Sequence, residues 1–416
     1  MRKTVHIFLI VQFIIFFQNT IFFLKPFDIS IDTPVGSTLS TLITVSSLLV
    51  SIIFCLSNRA FAIALFQRMR IIGGITLLCG LSLIWSVLPA NGSIKLVNLV
   101  LQLFQVTGIL IACVSYRLNL YEIIKKATFI AVALNVAYYF VDRGGALSKT
   151  LGEDGRYECL APQPNSLGQL AILTYIIWLP WSVRALRPIH LAALALSVFC
   201  ISLSDSSTGL LVIALASLLK LTYLFRKQTS LLILATLAVL MGGVYISGNS
   251  LFKSVGRDSS LTGRTFIWEY AVHEQQRAGK EIAGFGLGGF WDPSKSISHT
   301  EDFLEGFMQA HNGYLDIYLQ LGWLGLLLCA AMLIATILLI RKYWLIDTYN
   351  NLCILLIAIL VNNITESSLV VPKHPFWLVF ILLYTVLASR FPIFASQSLY
   401  IRPRVRMYQP FVHPQA

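Results

Sequence analysis

The sequence predicts an all-α polytopic membrane protein, and three observations carry that expectation. Charged residues make up 12% of the 416, half the roughly 25% of an ordinary soluble chain. Mean hydropathy is +0.75. Apolar runs close to the ~20 residues that cross a bilayer as a helix recur along most of the chain. The remaining polar residues collect in one long interval, and the fold class is completed by reading that interval as a large extracytoplasmic loop.

In chain order the runs predict about twelve transmembrane helices, at 5–24, 35–57, 70–88, 94–114, 123–141, 164–183, 189–205, 207–225, 229–247, 313–340, 350–368 and 374–389, each near the length a span requires. The seventh and eighth nearly fuse around Ser204-Asp205-Ser206-Ser207. Arg2-Lys3 and the first run mimic a signal peptide, but the run is long and lacks a small-residue cleavage site, so an uncleaved first span is expected. Four regions follow: N-terminal transmembrane helices (1–247), an extracytoplasmic active-site loop (248–312), C-terminal transmembrane helices (313–389) and a basic tail (390–416).

Orientation comes from the basic residues. With the N-terminus inside, most of the 31 Lys and Arg fall on cytoplasmic segments, among them Arg59, Arg68, Arg117, Arg184, Lys220, Arg226, Arg341 and Arg402. Cytoplasmic flanks carry such an excess. Both termini are therefore expected in the cytoplasm, with the long loop on the outer face of the membrane. The formal net charge of +12 is explained by this topology, and no RNP, zinc-finger or helix-turn-helix pattern suggests a nucleic-acid partner. A transporter would place isolated charges near the midplane of repeated halves, whereas here the acids and bases gather on one side. The seven cysteines are scattered, with no CxxC spacing, and are read as small packing residues.

Within the loop, Arg264 in LTGRT precedes an amphipathic stretch whose helix is expected to begin at Thr262 or Thr265. Helix-start amides beside a guanidinium suit phosphate or pyrophosphate; the plainer alternative is a surface arginine held by loop carboxylates. Residues 284–289 match GxGxxG literally. No strand–turn–helix unit surrounds them, so a tight turn packed closely on something is expected instead of a dinucleotide site. His311, at the mouth of a span, has a side chain that titrates near neutrality and could take a proton from a sugar hydroxyl, with Asn312 and Tyr314 to orient it or the acceptor. A helix-start histidine is otherwise a cap or an interfacial residue. His273 and His299 lack this context, and no HxxxH or HExxH spacing indicates zinc. Three more stretches fall on the same face: Asp154–Tyr157 with Pro164–Gly168, the Ser204–Gly209 corner, and Asn362–Ser368 with Lys373-His374 beyond. Capping and packing account for most such residues, but Glu366 at a span end needs a partner and is a functional candidate.

The segments LTGRTFIW (261–268), GFGLGGFW (284–291), AHNGYLDIYLQLGWLGLLL (310–328), PNSLG (164–168) and NITESSL (363–369) together resemble the O-antigen ligase and polymerase superfamily, nearest its succinoglycan-type polymerase branch. The resemblance implies a fold like that of polyprenyl-dependent glycosyltransferases. It implies transfer of an undecaprenyl-pyrophosphate-linked glycan to a glycan or lipid-linked acceptor, without cofactor or metal, beside the lipid bilayer and other polysaccharide assembly proteins. His311 then matches a histidine serving as base, and Arg264 an arginine that binds pyrophosphate. Many relatives carry a basic residue at the seven–eight corner, where this chain has Ser206-Ser207, so a second cation must come from Arg156, Lys253 or Arg257. Asn165, Asn312, Tyr314 and Glu366 complete the expected substrate-binding set. A polymerase of repeat units is the leading reading; a ligase joining finished glycan to lipid A core or another acceptor, and a polysaccharide flippase, are the alternatives.

Overall fold

The computed structural model describes residues 2–18, 34–148, 155–180, 182–224, 260–291 and 309–389. Among them every regular element is helical, and the sole strand-like pairing is an isolated bridge from Leu147 to Tyr157. The helices are α1 (Arg2–Gln18), α2 (Pro34–Ser57), α3 (Arg59–Arg68), α4 (Arg70–Leu81), α5 (Pro89–Ser115), α6 (Leu120–Val141), α7 (Pro164–Trp178), α8 (Pro188–Leu203), α9 (Ser207–Leu224), α10 (Ser260–Arg277), α11 (Gly313–Tyr343), α12 (Asp347–Thr365) and α13 (Pro375–Ser389). Most lie on the predicted apolar runs, whereas α3 falls between two of them and α10 within the long polar interval. The predicted run at 229–247, the interval 248–259 and the tail 390–416 fall outside the described residues.

Two helices form the centre. A helix apolar on every side belongs inside a bundle, and α13 is buried without interruption from Phe376 to Leu387. It packs against α1, α3, α5, α11 and α12, with Trp377 stacked on Phe380 at 5.6 Å. The second, α7, is buried along nearly its whole length between α6, α8, α9 and α12. All seven cysteines are buried and none forms a disulfide, as packing residues would not.

Among the described residues, α5, α6, α9 and α11 are long and apolar enough to cross a membrane, and the count becomes five if the pair α2–α3, bent by 106° at Asn58, is one span. The expected twelve is a larger number. Several predicted spans are shorter helices here: the third ends at Leu81 and passes into a 3-10 turn at Ser82–Ile84, and the eleventh ends at Thr365 instead of 368. Lys220, counted among the cytoplasmic flank, is buried instead. Its Nζ donates to Asn350 Oδ1 at 2.9 Å and Asn351 Oδ1 at 2.7 Å, which satisfies a cation that burial would otherwise penalise.

The glycine run explains the shortened third helix. Helix α11 breaks at Gly322, whose φ of 62° and ψ of −157° are non-helical. A break releases carbonyls before it and amides after it, and buried backbone groups require partners. Residues 281–286 supply them. Phe285 N–H donates to Leu319 O and Gly286 N–H to Gln320 O, while Trp323 and Leu324 N–H donate to Glu281 O and Ile282 O. The same segment rests on the 82–92 turn through Leu287 N–H to Ser82 Oγ and Trp85 Nε1–H to Ala283 O. The expectation of a tight, close-packed turn is met, and the close approach is specific: a Cβ on Gly284 (φ 70°) would lie 2.4 Å from the Gln320 carbonyl, and one on Gly322 would lie 2.3 Å from that of Ile282.

Gly284→Ala and Gly322→Ala should each destabilise the protein by at least ~2 kcal/mol, from left-handed strain and overpacking together. Gly73→Ala, where a Cβ meets nothing within 4 Å, should be neutral or mildly stabilising. Thermal unfolding in detergent checks this, and a Gly284→Ala midpoint matching that of Gly73→Ala would refute the docking role.

Candidate active site

The site is assembled from five segments brought to one end of the bundle. Helix α10 supplies Arg264. It starts at Ser260, earlier than predicted, so Arg264 stands more than a turn inside and not beside the helix-start amides. Its guanidinium reaches the loop after α12: Nη1 donates to Thr365 O at 2.6 Å and Nη2 to Glu366 Oε1 at 3.1 Å. One planar fork thus grips a backbone carbonyl and a carboxylate at once, a geometry that lysine cannot reproduce.

Glu366 stands just beyond the last turn of α12 and collects three partners. Besides Arg264, Asn165 Nδ2 donates to Oε1 at 3.2 Å, and His311 Nδ1–H faces Oε2 at 3.2 Å. Burial alone would raise the Glu366 pKa; hydrogen bonds from His311 and Arg264, with their charges, outweigh it and hold the group below its usual value, so it is a carboxylate. The Glu366 side chain keeps 10% exposure, against 23% for Arg264 and 27% for His311. The acid is sealed, while the arginine and histidine remain reachable by a ligand.

His311 sits in the left-handed region, with φ 50°, a conformation costing a non-glycine residue roughly 1–2 kcal/mol. Its flanks hold it there. On one side Asn312 caps α11, its Oδ1 accepting from Tyr314 and Leu315 N–H. On the other, Ala310 is bonded at both ends: its N–H to Asp316 at 3.1 Å and its carbonyl to Trp268 Nε1–H at 2.7 Å. With Nδ1–H donated to Glu366, neutral imidazole carries its free lone pair on Nε2, the second-atom logic usual for histidines backed by a carboxylate.

Arg156 and Asn165 extend the cluster toward the α8–α9 corner. Arg156 Nη2 donates to Asn165 Oδ1 at 2.6 Å and its Nε to Ser204 O at 2.9 Å. The sequence places these groups by a proline: Pro164 opens α7 at a position where its missing N–H is harmless, and Asn165 follows at the helix start. Thr208 Oγ1 donates to Thr365 Oγ1 at 3.1 Å, tying the corner to the same loop. Arg156, Asn165, Arg264, His311 and Glu366 therefore form one connected network, although they span some two hundred residues of sequence.

The remaining candidates sort differently. Asn312 is the α11 cap. Tyr314 points into the bundle, its hydroxyl donating to Leu360 O at 3.0 Å. Asn363 caps the loop after α12, accepting from Ser368 and Leu369 N–H. His273 is exposed on α10; Arg257, Lys253 and His299 lie outside the described residues. Asp316 and Ser367, unremarked in the sequence, turn out to lie directly behind His311. A carboxylate three residues into a span, beside a histidine, was the signal that could have found the first. Among the described residues no three His, Cys, Asp or Glu side chains gather as a metal-ligand set.

A stretch of 158 residues is 27% identical to the exopolysaccharide production protein ExoQ of Rhizobium meliloti (strain 1021), covering 33% of this chain and 35% of that protein. Residues 192–330, from α8 through Arg264 and His311 into α11, match the O-antigen ligase family. Over those residues the chain is similar to the O-antigen ligase and polymerase superfamily.

Proposed function

We propose that the chain is a membrane glycosyltransferase that transfers a glycan from undecaprenyl pyrophosphate to an acceptor hydroxyl, on the outer face of the cytoplasmic membrane, and so polymerises repeat units of an exopolysaccharide or O-antigen. The observation that carries this reading is the convergence of Arg264, Arg156 and His311 on the Glu366–Asn165 pair. The role in exopolysaccharide production stated for ExoQ supports the polymer product, and the excess of basic residues on the opposite flanks supports the outer location.

In this reaction the acceptor hydroxyl oxygen attacks the anomeric carbon while its proton passes to His311 Nε2. The bond from the anomeric carbon to the phosphate oxygen breaks, its electron pair leaves with polyprenyl pyrophosphate, and the configuration inverts. Glu366 holds the ring and stabilises the imidazolium that results. Arg264 and Arg156 are the groups placed to offset charge developing on the leaving pyrophosphate, the task of preorganised cations in such transfers. Arg156 does this from the carbonyl of Ser204, at the corner where Ser206 and Ser207 offer no cation. The transfer is proposed to need no metal, since the carboxylate at its centre is already committed to Arg264, Asn165 and His311.

The match to the O-antigen ligase family favours one second reading, ligation of finished glycan to another acceptor by the same chemistry. Deletion of the gene separates the two. Surface glycans reduced to single repeats are the expected result; full-length chains left unattached would mean a ligase, and loss of all exported repeats would contradict both.

A further inference from the structure

We propose that Asp316 is a positioning residue for the transfer: together with Trp268 it clamps Ala310, the residue before His311, from both sides and thereby sets where the imidazole points. The proposal rests on the reading of His311 as the base and adds what holds it in place.

Asp316 is buried, at 5% exposure, and is surrounded by hydrogen-bond donors. Trp291 Nε1–H donates to Oδ1 at 2.7 Å, Ala310 N–H reaches both carboxylate oxygens at 3.1 and 3.3 Å, and the Ser367 hydroxyl bonds Oδ2. Those donors come from three separate segments: the end of the docked glycine run, the strap leading to His311, and the loop that presents Glu366. A carboxylate saturated in this way is a junction. Its bond to Ala310 N–H has a counterpart on the other end of that residue, where Trp268 Nε1–H grips the carbonyl at 2.7 Å. Trp268 lies one helical turn beyond Arg264 on α10, so the clamp also fixes the distance between the arginine and the histidine.

The backbone of His311 makes the clamp necessary. A left-handed non-glycine residue persists only where its surroundings over-determine it. Asn312 secures the C-terminal side of His311 as the helix cap, and on the N-terminal side the side chains of Asp316 and Trp268 hold Ala310. Release of Ala310 would let φ of His311 relax and swing Nδ1 away from Glu366. Since misplacement by about 1 Å can cost roughly 10²-fold in rate, the loss should appear in kcat.

The test uses purified full-length protein and lipid-linked repeat unit extracted from a deletion strain. Asp316→Asn keeps an acceptor oxygen in place but loses the second, and Trp268→Phe keeps the ring and loses the N–H. The expected result is a kcat lowered about 10- to 100-fold by Asp316→Asn and less by Trp268→Phe, with the KM for donor changed by less than about threefold. Because both grips hold one residue, Ala310, the double variant should be less impaired than the product of the single losses. Normal kcat in Asp316→Asn, a raised KM at unchanged kcat, or strictly multiplicative losses would overturn the clamp. If Asp316→Asn fails to fold, Ser367→Ala and Trp268→Phe carry the same kcat-against-KM criterion. His311→Ala is assayed alongside: inactive His311→Ala with normal Asp316→Asn removes only the clamp, whereas normal turnover in His311→Ala removes the underlying assignment of the base.

Discussion

His311→Ala is expected to lose roughly 10²–10⁴-fold in kcat, the range a general base supplies, which corresponds to about 2.7–5.5 kcal/mol of transition-state stabilisation. The substitution also removes the left-handed strain of an imidazole-bearing residue at φ 50° only in part, since alanine shares the Cβ clash, so no gain in stability should mask the loss. Donor affinity should survive, because the pyrophosphate contacts are assigned to Arg264 and Arg156. His273→Ala, on an exposed position of α10, should leave turnover near wild type. Rates measured on folded, detergent-purified protein, with donor KM determined in parallel, check both halves of the expectation.

The second large effect concerns Arg264. Arg264→Ala leaves a buried carboxylate with one fewer partner, and breaking such a pair costs about 3–5 kcal/mol, so its inactivity alone would not separate folding from catalysis. Arg264→Lys does separate them. Lysine restores a charge toward Glu366 and should keep the protein folded, but a single ammonium cannot span Thr365 O and Glu366 Oε1 while also offering a fork to two phosphate oxygens. Activity within about tenfold of that of Arg264→Ala is the expected result, at near-native thermal stability. Near-normal turnover in Arg264→Lys would reduce the residue to a point charge.

Much of this structure was legible because bilayer physics leaves a strong trace. Apolar runs mark many of the helices, and Pro164, Gly313 and Asn312 mark where α7 and α11 start, so both starts fall where they are expected. The kink in α11 was not legible. LQLGWLG reads as an unbroken span, because its broken hydrogen bonds are repaired by residues 281–286, some forty positions earlier, and a local pattern carries no record of a distant partner. The same limit applies to the site. Arg264, His311, Arg156, Asn165 and Glu366 each stand out as polar groups beside apolar runs, yet only the fold shows that Glu366 joins them. Tyr314 reads as a substrate contact from its place near Asn312, but each residue of a helix is turned by about 100° from the one before, and its hydroxyl ends on Leu360 O inside the bundle. Asp316 was overlooked for the opposite reason: an acid in the first turn of a helix is ordinary on dipole grounds, and its importance lies in what it bonds.

The central claim is that one network, Arg156–Asn165–Glu366 with Arg264 and His311, moves a glycan from a lipid pyrophosphate to a sugar hydroxyl. The most direct measurement incubates the purified protein with lipid-linked repeat unit, in the presence of chelator, and follows glycan length on the lipid together with free polyprenyl pyrophosphate. The account predicts a ladder of lengthened lipid-linked glycans, one polyprenyl pyrophosphate released per bond formed, inverted configuration at the new linkage, and loss of all three with His311→Ala. Chain growth that proceeds undiminished in His311→Ala, or growth that appears only when a divalent metal is restored, would contradict it.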